Sequence, residues 1–179
     1  RAPASPRRES SVPATVESGP AHATELSALA PERLADEILR RIAVEPLALS
    51  QALRRARFGA DRWEEVLDHL SAGAQRDLLR HAAGQYAADA LIAAAAILPR
   101  LYARPGEDAD PSPASQARVL AACAFAEAHT RAAIDVRSVL REMAGALPGA
   151  TEQSVDTLIE RLRLALPRAL AQALEARVA

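Results

Sequence analysis

The sequence predicts an all-α fold, an irregular multi-helix bundle or a short array of helical hairpins, with about six to eight helices. Apolar residues recur every three or four positions along most of the chain, which is the spacing of one helix face. Aromatic residues make up only 3% of a chain that is 50% hydrophobic, so the core must consist mainly of leucine, isoleucine, valine and alanine. An alanine-rich composition of this kind suits helices that pack closely against helices.

The chain divides into a tail and a helical domain. Residues 1–23 are rich in proline, serine and alanine and lack apolar periodicity, which predicts a flexible, disordered linker. Residues 24–179 form the predicted helical domain. The Pro, Gly and Asp residues of 104–113 predict an exposed connection, which could separate two lobes at 24–103 and 114–179.

Prolines bound the first two predicted helices. Pro31 suits the first position of a helix that opens near Ala30, because the N–H that proline lacks would be unpaired there. Pro46 ends this helix, since the residue before a proline is pushed away from helical geometry. A second, shorter helix follows, and its predicted apolar residues are Leu47, Leu49 and Leu53.

Acidic residues and glycines mark the next elements. Asp61 followed by Glu64 resembles a capping box, so a third helix of about nine residues should begin directly after Asp61. A long helical stretch is predicted over 74–103, and Gly84 or Pro99 could bend or split it.

Three further caps predict the remaining helices. Ser112 with Pro113 begins one helix, Asp135 begins another, and Thr151 begins the last clear helix. Pro167 predicts a kink after that helix, because proline removes a backbone donor from its interior.

The helix after Thr151 has the sharpest amphipathic stripe in the chain, formed by Val155, Leu158, Ile159, Leu162 and Leu166. Such a stripe most often packs into the core of its own domain and less often contacts a partner. These five residues are the candidate partner interface, through which the domain would present an apolar helix face to another protein.

The charge balance argues against two classes of partner. The chain has 22 basic and 23 acidic residues, so no overall field attracts nucleic acid or an anionic membrane. The apolar run 90–98 is shorter than the ~20 residues that cross a bilayer. The strongest basic patch comprises Arg54, Arg55, Arg57 and Arg62, with Phe58 and Trp63 nearby for base stacking. Compensation of a helix dipole explains these arginines more simply, so we predict no nucleic-acid partner and no membrane partner.

The sequence predicts no catalytic, metal or cofactor-binding site. The histidines, His22, His69, His81 and His129, lack the spacing of a metal pair, and the chain has no lysine and no glycine-rich phosphate loop. We expect His69 and His129 to be partly exposed surface residues. Cys123, the only cysteine, should be a core thiol, because six positions separate it from His129 and turn the two to different helix faces.

Two weaker indications of chemistry remain. Carboxylates cluster at 64–68 and 107–110, but the first set resembles a solvated helix face and the second lacks the spacing of a calcium loop. A helical enzyme could instead hold a pocket around Arg80, His81 and Tyr86. Because neither indication forms a recognisable motif, we predict that the chain is not an enzyme.

Three stretches carry a family resemblance. Arg62–Ala82 is RWEEVLDHLSAGAQRDLLRHA, an alanine-rich helix follows it, and 117–162 holds an apolar helix followed by Ile134-Asp135-Val136-Arg137. Short helices that end in leucine, each followed by a turn and a leucine pair, resemble the helical part of the tape-measure proteins of bacterial contractile injection systems. The resemblance covers about two thirds of the chain. It implies a non-enzymatic structural protein that helps to set tube or sheath length in a phage-tail-like particle, and it assigns no binding residue.

We therefore expect a structural or assembly scaffold domain that binds structural subunits or further copies of itself. A helical adaptor, or an oligomerisation or regulatory module of a larger bacterial protein, is the alternative. The chain begins with Arg1, and we expect it to be a segment of a longer polypeptide. A single cysteine allows no intrachain disulfide and no signal peptide is visible, so we expect a cytoplasmic location.

Overall fold

The computed structural model describes residues 21–102 and 112–173. These residues form ten α-helices and no strand, which confirms the predicted all-α fold. Most of the predicted linker, at 1–20, and most of the predicted connection, at 103–111, lie outside the described residues.

The helices are α1 (Ala21–Ala28), α2 (Pro31–Ile42), α3 (Pro46–Ala56), α4 (Ala60–Leu67), α5 (Ala72–Ala83), α6 (Gln85–Tyr102), α7 (Pro113–Thr130), α8 (Val136–Gly145), α9 (Glu152–Ala165) and α10 (Arg168–Ala173). Their number exceeds the expected count for two reasons. A helix forms at each end of the described region, and a glycine divides the long predicted stretch into α5 and α6.

The three predicted side-chain caps are present. The Ser112 hydroxyl accepts a hydrogen bond from the backbone N–H of Ser115 at 3.3 Å, and the Asp135 carboxylate accepts one from the backbone N–H of Arg137 at 3.1 Å. Thr151 begins α9 with a reciprocal capping box. Each cap satisfies a backbone N–H that has no partner within the helix, so these helix starts follow from local chemistry.

One predicted helix start is wrong near the start of the chain. Asp61 is not the cap of α4, because Gly59 holds that position in an extended conformation with φ −72° and ψ 172°. Asp61 lies instead in the first turn, where its charge favours the helix dipole. The first described helix, α1, overlaps the end of the predicted linker at 21–23 and buries Leu26 in the core.

Gly84 separates α5 from α6. Its φ is +83°, a region that residues with a Cβ atom rarely adopt. Its N–H donates to the carbonyl of Arg80 at 2.8 Å, and its own carbonyl accepts from the N–H of Ala88 at 3.0 Å. One residue therefore ends one helix and begins the next. Pro99 lies buried near the end of α6 and does not split that helix.

The core is centred on α7, which packs against α4, α6 and α8. The fully buried ring of Trp63 on α4 lies 5.2 Å from Phe125 and 4.8 Å from His129 on α7, measured between ring centroids. Phe58 contacts Trp63 edge-on at 5.9 Å. We call Phe58, Trp63, Phe125 and His129 the aromatic cluster. Its large rings fix the position of α4 against α7.

One core runs through both halves of the chain. Buried apolar residues from before 103 and from after 111 belong to a single cluster, and α6 packs against α7, α8, α9 and α10. The expected division into lobes at 24–103 and 114–179 is therefore not seen in the part of the chain that the structure describes.

Arginine side chains fasten helices that are distant in sequence. Arg54 on α3 donates to the carbonyl of Ala82 in the last turn of α5, at 2.7 Å, and Arg62 on α4 donates to the carbonyl of Leu29. Carbonyls at helix ends have no partner within their own helix, so these bonds satisfy groups that burial would otherwise leave unpaired.

Across residues 21–102 and 112–173, no helix combines the length and the apolar character that a bilayer span requires. The apolar run 90–98 lies within α6, and its buried members are Ala90, Leu91, Ala94, Ala95 and Leu98.

Two leucines of α9 provide a matched test of this core. Leu162 is fully buried, whereas Leu164 on the same helix is 82% exposed. We expect Leu162→Ala to lower the free energy of unfolding by about 2–5 kcal/mol, because it removes buried contacts and leaves a cavity. Leu164→Ala should change it by less than about 0.5 kcal/mol. Chemical denaturation followed by circular dichroism measures both, and equal effects would contradict the packing of α9.

Candidate protein-interaction surfaces

The predicted interface on α9 lies inside the core. The side chains of Val155, Leu158, Ile159, Leu162 and Leu166 are all buried, and α9 packs against α6 and α8. The stripe is therefore the packing face of the helix, and a partner could reach it only if the domain opened. A different residue of α9, Leu164, faces solvent.

The basic patch around α3 and α4 is engaged within the domain. Arg54 and Arg62 donate to backbone carbonyls, and Arg62 also pairs with Glu65 at 3.0 Å. Phe58 and Trp63 are buried, so neither ring is open to stack on a nucleic-acid base. Two of the four arginines that suggested a nucleic-acid surface, Arg54 and Arg62, thus connect helices to one another.

His129 is buried, contrary to the expectation of a surface histidine. Its Nδ1 lies 2.9 Å from the carbonyl of Phe125 one turn earlier and donates to it, while Nε2 has no hydrogen-bond partner among the described residues. Burial lowers the pKa of His129 from its ordinary 6.5 to about 4. The hydrogen bond to Phe125 raises this pKa, whereas the positive charge of Arg54 lowers it further. The imidazole is therefore neutral at pH 7 and acts as a core ring.

Cys123 is half-buried and packs against the edge of the core, so the expected core thiol is found only in part. Burial raises the pKa of its thiol, and the carboxylates of Glu127 and Glu142 add to this effect. Little reactive thiolate therefore forms at pH 7. His129 lies in the aromatic cluster, whereas Cys123 lines an open groove between α7 and α8. The two therefore do not make a nucleophile and base pair.

The other side chains that were candidates for catalysis or metal binding are not brought together among the described residues. Arg80 pairs with Asp89 at 3.0 Å, whereas His81 and Tyr86 are exposed to solvent. The carboxylate set at 107–110 lies outside the described residues. Within residues 21–102 and 112–173, no group of three His, Cys, Asp or Glu side chains is placed to hold a metal ion.

Three large apolar side chains are exposed where α2 turns into α3. Leu39 is 42% exposed, Val44 is 83% exposed and Leu47 is 68% exposed. Between the two helices, the N–H groups of Val44 and Glu45 both donate to the carbonyl of Arg41, at 3.1 and 2.8 Å, so the turn is tight. The three side chains lie within nine residues of the chain around this turn, and we call them the α2–α3 corner.

Charges of both signs surround this corner. Glu37 pairs with Arg40 at 2.6 Å and also with Arg41. The hydrogen bond from Arg40 is the main cause that lowers the pKa of Glu37 to about 2, so this carboxylate is charged at pH 7. Along residues 36–55, which include the corner, the acidic residues are Asp36, Glu37 and Glu45, and the basic ones are Arg40, Arg41, Arg54 and Arg55. Charges of both signs therefore flank the corner in nearly equal number.

A second surface is a groove of about 640 Å³ between the α3–α4 turn, α7 and α8. Most of its lining residues are small: Gly59, Ala60, Cys123, Ala126, Gly145 and Ala146. Glu127 on α7 and Glu142 on α8 contribute carboxylates to it. We call this surface the α7–α8 groove.

The α2–α3 corner was missed at the sequence level, although helical spacing contains the signal. Leu47 was grouped with Leu49 and Leu53, yet two positions correspond to about 200° of rotation around a helix. Leu49 and Leu53 are buried on one face, which leaves Leu47 on the opposite face. Leu39 likewise lies one position after the buried Ile38. An apolar residue that lies outside the helical spacing of the buried residues therefore indicates an exposed apolar side chain.

Comparison of the chain with protein-family models, with curated proteins and with solved structures finds no match.

The buried histidine makes stability depend on pH. Because the pKa of His129 is about 4 in the folded chain and about 6.5 in the unfolded chain, the unfolded state binds the additional proton between these values. Its contribution to stability is fully present above pH 6.5 and is lost as the pH falls through 4. The loss amounts to about 3 kcal/mol.

We expect His129→Gln to flatten this part of the stability profile, whatever it does to stability at pH 7. Urea unfolding at a series of pH values between 4 and 7.5 measures the slope. His69→Gln, at an exposed histidine, is the matched control. An unchanged slope in His129→Gln would show that other groups cause the acid sensitivity.

Proposed function

We propose that this chain is a non-enzymatic assembly scaffold domain that associates with further copies of itself through the α2–α3 corner. The observation that supports the proposal is the exposure of Leu39, Val44 and Leu47, three of the five large exposed apolar side chains of the described residues, near a single turn. Burial of apolar surface is the main driving force of association, and clustered exposed apolar side chains are typical of contact surfaces.

The charges at the corner favour a second copy as the occupant. Two copies related by a twofold axis present the same patch to each other, so a patch with one sign of charge would repel its mate. The balanced acidic and basic residues around the corner can instead pair across the interface. A strongly acidic or strongly basic partner would gain no net attraction here.

A self-associating helical domain suits the structural role that the resemblance to tape-measure proteins implies. On this ground we propose a role in assembling a phage-tail-like particle in a bacterial cytoplasm, with structural subunits as further partners. The proposed role requires no cofactor, nucleic acid or membrane.

A helical adaptor is the second candidate function. It is favoured by the α7–α8 groove, which differs from the corner in shape and could hold a different protein.

Sedimentation velocity from micromolar to millimolar concentration tests the self-association. We expect the mass of the unsubstituted chain to rise toward that of a dimer as concentration increases. The double substitution Val44→Asp with Leu47→Asp should remain monomeric throughout, because it would bury unpaired carboxylates at the interface. Both positions are exposed, so circular dichroism should show an unchanged helical content.

Leu164→Asp is the matched control, since Leu164 is also highly exposed but lies on α9. It should associate like the unsubstituted chain. A monomer at every concentration for the unsubstituted chain would overturn the proposal. Association that survives the double substitution would assign it to another surface.

A further inference from the structure

His129 lies where α4 is attached to the later helices. Its side chain is 1% exposed, and its ring stacks on the ring of Trp63 on α4. Besides α7, α4 packs mainly against α2, so the contact with α7 is its main attachment to the helices that follow it in the chain. We call the stack of Trp63 on Phe125 and His129 the α4–α7 joint.

The hydrogen bonds of His129 leave no place for a second proton on the ring. Because a carbonyl can only accept, Nδ1–H donates to the carbonyl of Phe125, and the neutral ring carries a lone pair on Nε2. Nε2 is buried and has no hydrogen-bond partner among the described residues. A proton added there would create an unpaired N–H and a positive charge inside the core.

The charges around the joint oppose this proton. Arg54 on α3 is the one charged side chain among the described residues that acts on the imidazole, and it lowers the pKa of His129. Asp61 and Glu64 on α4 act instead on the thiol of Cys123. Other charged groups on the helices around α7 pair with one another: Arg62 with Glu65 on α4, Asp68 on α4 with Arg118, Arg80 on α5 with Asp89 on α6, and Glu142 on α8 with Arg131. A charged His129 would therefore meet a second positive charge and no compensating carboxylate.

The later helices hold together without α4. α6 packs against α7, α8, α9 and α10, and α8 packs against α7 and α9. These contacts do not include any residue of α4, so they persist when α4 leaves α7. A part of a domain with its own separate contacts can open at a lower free energy than the whole.

From the buried ring stack, the unpaired Nε2 and the facing guanidinium group, we infer that the α4–α7 joint is an acid-sensitive switch, in which protonation of His129 releases α4 from α7 while α6–α10 stay packed. Release brings the imidazole into water, where its charged form is solvated. The switch does not involve the α2–α3 corner, so this proposal and the proposed self-association can fail independently.

Hydrogen exchange of the full chain, followed residue by residue by NMR, tests the switch. Trp63 is the only tryptophan, so its indole N–H gives a single signal from inside the joint. Rates are expressed relative to an unstructured peptide at the same pH. We expect the opening of the indole N–H and of the Val66 amide to rise about 25-fold between pH 7.5 and pH 5, because the pKa of His129 is about 4 when buried and 6.5 when exposed. At pH 5 these groups should exchange at least about tenfold faster than the amides of Leu158 and Ile159 on α9.

Variants assign the effect to His129. His129→Phe keeps a ring in the stack but cannot be protonated, so exchange at Trp63 should lose its dependence on pH in this range. His129→Gln should lose it as well and serves if the phenylalanine variant does not fold. His69→Gln, at an exposed histidine, is the matched control and should behave like the unsubstituted chain.

Equal relative rates in α4 and α9 at pH 5 would show that the chain opens as a whole, which would overturn the switch. The absence of any rise in the unsubstituted chain would overturn it too. A rise that persists in both His129 variants would assign the acid response to another group.

Discussion

The contact between Trp63 on α4 and the two rings of α7 is the constraint on which the rest of the structure depends. In a chain with only 3% aromatic residues, most of the core consists of leucine and alanine, which could pack in several registers. The one tryptophan contacts Phe58, Phe125 and His129, so it selects one arrangement of α4 against α7. Because α6 and α8 also pack on α7, that arrangement positions the remaining helices around it. This contact also requires a neutral His129, because a charged imidazole at that position would be buried without a partner charge.

The sequence predicted most helices but not the surface of the domain, and the difference has a physical cause. Caps such as Ser112 and Thr151 act within one turn of the backbone, so local residues determine them. Burial instead depends on which helices meet, and a single sequence does not show this. The stripe of α9 therefore could not be distinguished from an interface, and His129 was expected at the surface because its ring partners lie on another helix. The capping prediction at Asp61 failed because Gly59 offered an alternative start two residues earlier.

Arginines of α3 and α4 act inside the domain. Their planar guanidinium groups reach the open carbonyls at the ends of α1 and α5. Arg54 and Arg62 thus act as connectors between helices. Among the described residues, the α2–α3 corner and the α7–α8 groove remain open to solvent beside this packing.

The pairing of α4 with α7 also has a consequence for synthesis of the chain. Phe125 and His129 follow Trp63 by about sixty residues, and at roughly 5–20 residues per second the ribosome needs about 3–12 seconds to produce them. During that interval α4 can form and its tryptophan can contact Phe58, but the two rings of α7 that complete its cover are absent. The nascent domain must therefore pass through a period with an open apolar face, in which a chaperone or a premature encounter with a neighbouring nascent chain competes with correct folding.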